Sequence, residues 1–177
     1  MTQPFNFIMQ PDILRAMKYK SFDHLNCSLA QTLNVIGERW TLLILRDAFF
    51  GARRFSQFQR SLGIARNILS ARLAALVEEG ILERRVTGEG ASPEYFLTEA
   101  GLELQPILLS MTHWGDKHRP HPDGDRLVFT ERATGDPVQP MGVFSADGRR
   151  LGPRDIRATA GPGVQGGEGQ LVGTELP

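Results

Sequence analysis

Four glycines, Gly37, Gly51, Gly63 and Gly80, each close a run of apolar residues spaced three or four apart. That punctuation divides the chain from Leu29 to Gly80 into four short helices. Leu29, Leu33 and Ile36 give the first, and Trp40, Leu43, Ile44 and Ala48 the second. Leu42, Leu45 and Phe49 add apolar positions on the other sides of the second helix, which predicts a central, buried element. Phe55, Phe58 and Leu62 give a third helix of about two turns, and Leu69, Leu73, Leu76 and Val77 a fourth, over about 67–79. Ile81 to Thr87 then reads as a strand, Gly88 to Pro93 as a loop and Glu94 to Leu97 as a second strand. Thr98 and Glu99 open a last helix, which Pro106 is expected to kink. The order predicts a mainly α fold with a small β wing (α+β), a winged helix-turn-helix, whose turn lies at Gly63-Ile64.

The fourth helix carries the functional information. At about 100° per residue, Leu73 and Leu76 share the direction of Leu69, while Asn67, Ser70, Ala71, Ala74 and Glu78 point away from the core. Near its start the outer face is small and hydrogen-bonding, with Arg66 beside it. Such a face fits a major groove, where long apolar side chains clash and acids repel phosphate. From Arg53 to Val77 there are five arginines and no acidic residue. A chain of zero net charge therefore still carries a local cationic stretch. The expected partner is double-stranded DNA. Arg53 and Arg54 precede the short helix and are expected on phosphate, and Asn67 and Ser70 on base edges. Arg84 and Arg85 at the wing base are further candidates for phosphate. Ala65 stands where a capping Ser or Thr is favoured, at a cost of roughly 1 kcal/mol.

These residues resemble the HxlR-type winged-helix transcription regulators of bacteria. The matching text is Cys27-Ser28-Leu29-Ala30, Val35 to Asp47, Arg53-Arg54-Phe55, Gly63 to Leu73, Glu79-Gly80-Ile81-Leu82 and Tyr95-Phe96-Leu97-Thr98. The resemblance covers about residues 27–119. It implies a homodimeric regulator, with terminal helices at the dimer interface and the 67–79 helix in the groove. It places Arg72 at the family's recognition-helix arginine; the phase of the helix puts Arg72 on the flank, nearer phosphate than bases. The family often has a wing arginine before its Glu-Tyr pair. Here that stretch is Ser92-Pro93-Glu94-Tyr95, with Glu89 nearby, so a minor-groove arginine contact from the wing tip is not expected.

The last helix has a broad apolar set, Leu104, Ile107, Leu108, Met111 and Trp114, which is expected to form the dimer interface. Cys27 corresponds to a cysteine that senses oxidants in some relatives; the alternative is an inert thiol, as no Lys or Arg lies within six residues of it. Trp40 and Trp114 are expected as core or interface anchors, or as walls of a pocket for a small-molecule effector.

Several classes are excluded. The longest apolar run, Leu73 to Val77, is far short of the roughly 20 residues of a membrane span. The start of the chain lacks a secretory pattern, so a cytoplasmic location is expected. One cysteine excludes an internal disulfide and any multi-cysteine zinc site. His113, His118 and His121 with Asp116 and Asp123 match no metal-ligand spacing. Gly161 to Gly166 fits GxGxxG as text but has no helix to hold a pyrophosphate. No GxSxG, HExxH or P-loop occurs. No catalysis, metal or cofactor is expected. A different class stays open, a winged-helix protein–protein module whose arginines are merely solvated; salt-sensitive retention on heparin or random duplex separates the two.

Composition shifts near Pro120–Pro122, after which 58 residues hold 11 of the 19 glycines and 7 of the 11 prolines. The expected organisation is an N-terminal arm or helix over 1–26, the winged domain over 27–119 and an extension over 120–177. Leu127-Val-Phe129 and Met141-Gly-Val-Phe144 predict short strands between turns. The extension resembles the tail of some relatives, where cysteine–glycine pairs form a small zinc ribbon. Here Thr134 and Asp147 precede the glycines and Phe144 replaces another cysteine, so a metal-free remnant is expected, packed by Phe129, Val143, Phe144 and Leu151. Beyond about Ala160 the glycine-rich end is expected to be mobile.

Overall fold

The computed structural model describes residues 21–86, 88, 90–159 and 161–163. Four helices come first: α1 Ser28–Ile36, α2 Arg39–Phe49, α3 Phe55–Leu62 and α4 Arg66–Glu78. The antiparallel strands β1 Leu82–Arg85 and β2 Glu94–Leu97 follow, then α5 Glu99–Leu102 and α6 Gln105–His118. In the extension, β3 Val143–Phe144 pairs with β4 Arg150–Leu151, ahead of a 3-10 turn at Pro153–Asp155.

For α2, α3 and α4 the core is the one the periodicities predict. Ile44, Leu45 and Ala48 of α2, Phe58 of α3 and Leu69, Leu73 and Leu76 of α4 are buried together with Ile36, Ile64, Ile81 and Leu82. Helix α2 lies in the middle and touches α1, α3, α4, β2 and α6. Gly63 caps α3 at φ +59, a left-handed conformation that glycine adopts without a Cβ penalty. Its N–H donates to the Gln59 carbonyl at 3.0 Å, and Arg66 begins the next helix three residues on. Ala65 is the N-cap of α4 and supplies no side-chain acceptor, as expected.

The wing is tied down on both sides. Register pairs Leu82 with Leu97 and Arg85 with Glu94. On the other edge of β2, Tyr95 N–H donates to the Arg53 carbonyl at 2.8 Å, and Glu94 bridges to Arg54. Thr98 caps α5 by accepting from Gly101 N–H at 3.1 Å, and donates its own proton to the Gly80 carbonyl at 2.6 Å. Gly101 is buried against the Ile81 carbonyl, where a Cβ has no room.

Four expectations need correction. The first strand is shorter than Ile81–Thr87: Ile81 sits in a bend whose N–H is spent on the Leu76 carbonyl. Glu89 lies outside the described residues. The last helix is not one kinked rod but two helices broken at Glu103-Leu104. Pro106 stands in the first turn of α6, where its missing N–H costs nothing. On α1, Leu29 and Leu33 are exposed while Ala30 and Ile36 are buried, because no described part of the chain covers the Leu29–Leu33 side. In the extension, Val143 and Phe144 are also exposed, so they do not hold it.

The extension is instead anchored to α6. Phe129 meets the His113 ring edge-on at 6.0 Å, and Arg126 reaches the Asp116 carboxylate at 3.3 Å and the Arg119 carbonyl at 2.9 Å. Asn26 Nδ2 donates to the Gly163 carbonyl at 2.8 Å, bringing the far end back to the entry of α1. Of the expected N-terminal arm over 1–26, residues 1–20 lie outside the described residues, as do residues 160 and 164–177 of the glycine-rich end.

Candidate nucleic-acid interface

Helix α4 shows two faces. Leu69, Leu73 and Leu76 point into the core, while Arg66, Asn67, Ser70, Ala74 and Glu78 are exposed. No acidic side chain occurs on that outer face before the last residue of the helix. The Arg66 guanidinium stacks over the Phe55 ring at 5.2 Å, so a cation from the start of α4 is held beside the start of α3.

The remaining arginines have different surroundings. Arg54 is exposed beside the start of α3 and pairs with Glu94 through Nε at 2.9 Å. Its backbone N–H and that of Arg53 both donate to the Gln57 carboxamide oxygen, each at 2.8 Å, which caps α3 and fixes both residues. Arg53 is turned inward. One of its terminal nitrogens donates to the Ala48 and Ala52 carbonyls at 2.7 and 2.9 Å, and its guanidinium lies over Phe96. Arg85 covers the Phe96 ring at 4.7 Å and pairs with Glu83 at 2.7 Å. That contact lowers the Glu83 carboxyl from its ordinary value and raises the Arg85 guanidinium. Arg84 is exposed on the wing.

Arg72 departs most from what the resemblance implies. Its guanidinium lies 3.4 Å from the Glu38 carboxylate at the N-cap of α2, and the two side chains are only 17% and 18% exposed. Arg72 therefore spends its charge between α4 and α2. Glu38, Glu94 and Phe96 are the partners that sequence reasoning missed. Glu38 and Phe96 lie within the matching text, but nothing in their spacing says which arginine each one meets.

The terminal apolar set also divides. Leu104 and Leu108 pack against the chain's own core, whereas Ile107, Met111 and Trp114 are exposed, as are Leu29 and Leu33 on α1. Cys27 is half-buried and is the N-cap residue of α1. Among the described residues, no cluster of three His, Cys, Asp or Glu could hold a metal, and no helix is long and apolar enough to cross a membrane.

Two helices around a left-handed glycine, a partly cationic outer surface and a β wing define a winged helix-turn-helix protein. The chain belongs to the HxlR-like helix-turn-helix family, whose sequence model matches residues 35–123. Rv3095 of Mycobacterium tuberculosis (strain ATCC 25618 / H37Rv), named an uncharacterized HTH-type transcriptional regulator, is 40% identical over 139 residues, 78% of this chain and 88% of its own. The crystal structure of PA1607, named a candidate transcription factor, is 42% identical with a TM-score of 0.71, covering 75% of this chain and 94% of that one. Reduced HypR, named a redox regulator, is 35% identical with a TM-score of 0.50, covering 52% and 94%. Membership places the protein among DNA-binding transcription regulators rather than enzymes.

Proposed function

We propose that the protein is a homodimeric, sequence-specific regulator that lays α4 in the major groove of double-stranded DNA. The observation that carries this reading is the exposed face of Asn67, Ser70 and Ala74, short and polar or neutral, with Arg66 at its head. Asn67 and Ser70 meet base edges. Arg54, Arg66, Arg84 and Arg85 meet phosphate. Arg53 and Arg72, whose guanidiniums face their own protein, hold the reading head in place. The exposed Ile107, Met111 and Trp114, with Leu29 and Leu33, support a two-fold interface between copies. A two-fold dimer presents two such helices, so half-sites repeat at about one helical turn or a multiple of it. Selection of binding sequences from a random duplex library tests this directly: an enriched palindrome with that spacing is expected, and no enrichment refutes it.

Residues 120–159 are proposed as a ribbon-like unit without metal. Elemental analysis finding stoichiometric zinc refutes that. Cys27 supports a second, narrower reading as a redox sensor, because it is only half-buried and the chain is similar to HypR, which is named a redox regulator. Mild peroxide then changes operator affinity, and Cys27→Ser abolishes the response.

A further inference from the structure

Between the end of α2, the first half of α6 and the start of the extension lies a cavity of about 110 Å³. Phe49 comes from α2, Leu108 and Leu109 from α6, and Leu127 and Phe129 from the extension. We infer that this cavity, with Gln105 at its edge, is a binding site for a small neutral single-ring aromatic molecule bearing one hydrogen-bonding group, of the size and chemistry of phenol.

Size sets the first limit. An engineered apolar cavity of about 150 Å³ holds benzene, so a space of about 110 Å³ has room for one ring. Shape and surface set the second: three phenylalanines and three leucines from α2 and its end, α6 and the extension make a wall that suits a flat apolar body. The polar atoms in the lining set the third. Thr112 spends its hydroxyl proton on the Leu108 carbonyl at 2.9 Å. Arg46 spends its Nε and one terminal nitrogen on the Asp47 carboxylate, at 2.9 and 2.7 Å, so its charge is already answered. A carboxylate ligand would give up its hydration for a cation that is neutralised in place. Gln105 is left, with an exposed carboxamide that makes no hydrogen bond in the structure and offers both a donor and an acceptor to one hydroxyl.

Phe50, which also lines the cavity, is exposed. The site exists only where the extension lies against α6, a placement held by the Phe129–His113 and Arg126–Asp116 contacts. Occupancy therefore favours the docked arrangement by its differential affinity for it.

The test uses the full chain and needs no DNA, so its result is separate from that of the operator selection. Phenol is titrated by calorimetry and thermal shift, with benzoate as the charged probe and Leu109→Trp as the variant that fills the cavity. Saturable binding of one phenol per chain is expected, at least tenfold tighter than benzoate and lost in Leu109→Trp. Phe129→Leu, which keeps an apolar wall, is expected to retain weaker binding if the first variant fails to fold. Phenol without saturable binding, or benzoate binding as tightly as phenol, overturns the assignment. If phenol is silent and Leu109→Trp changes the molecular mass by light scattering, the cavity belongs to a contact with a second copy and the proposal also falls.

Discussion

Replacing Arg72 with Ala separates a positioning role from a phosphate contact. At the observed 3.4 Å, an effective dielectric of about 20 gives a gross attraction of about 5 kcal/mol. Desolvation of both groups offsets most of it. The pair is more buried than a surface ion pair, whose removal costs about 0–1 kcal/mol, and less so than a fully buried one, at about 3–5 kcal/mol. Arg72→Ala is therefore expected to destabilise the fold by about 1–3 kcal/mol. Denaturant melts of Arg72→Ala, Glu38→Gln and the double variant form a cycle whose coupling energy is expected at about 1 kcal/mol, within the range for directly contacting groups. The second assay is DNA affinity against salt. An arginine on phosphate contributes a slope of about one unit, so Arg54→Ala is expected to lower the slope by that amount and Arg72→Ala to leave it unchanged. Zero coupling together with a slope reduced by one unit in Arg72→Ala would refute the positioning role and return Arg72 to the phosphates.

Asn67→Ala is expected to relax preference at one base pair by about 1–3 kcal/mol; equal weakening on operator and random duplex in a binding assay counts against α4 as the reading element. Met111→Asp is expected to yield a folded monomer by light scattering, because Met111 is exposed, whereas Leu108→Asp is expected to lower the melting temperature because Leu108 packs on the core. Ala65→Ser is expected to stabilise the protein by about 1 kcal/mol in denaturant melts, by giving α4 the side-chain cap it lacks. Gly101→Ala is expected to destabilise it by about 1–3 kcal/mol, since the added methyl meets the Ile81 carbonyl, which has no room to retreat.

What the sequence reveals follows from how local each effect is. The spacing of Leu69, Leu73 and Leu76 shows which side of α4 is buried, because a helix repeats its faces regardless of what covers them. Gly63 marks its turn because few other residues take that backbone geometry. The same rule misleads at Leu29 and Leu33, where an apolar stripe exists but the chain's own core does not meet it. Pro106 is ambiguous in sequence: a proline in the first turn of a helix and one that bends its middle look alike until the break at Glu103-Leu104 is seen. The division among the arginines is the least legible part. Arg53 and Arg54 are neighbours in sequence, yet one is aimed at the Ala48 and Ala52 carbonyls and the other at Glu94, 40 residues away. Only tertiary contacts distinguish them, as they do for Arg72 and Glu38.

The bond between Tyr95 and the Arg53 carbonyl makes the wing an outrigger of the segment that launches α3. The wing and the entry to α3 are thereby joined before any duplex arrives. In the proposed complex, a wing held at this point leaves part of the adjustment to the duplex. Base steps that bend or narrow easily are then expected to be favoured in that complex, even where no side chain reaches them. Part of the operator's sequence is in this way expected to be written in stiffness rather than in hydrogen bonds.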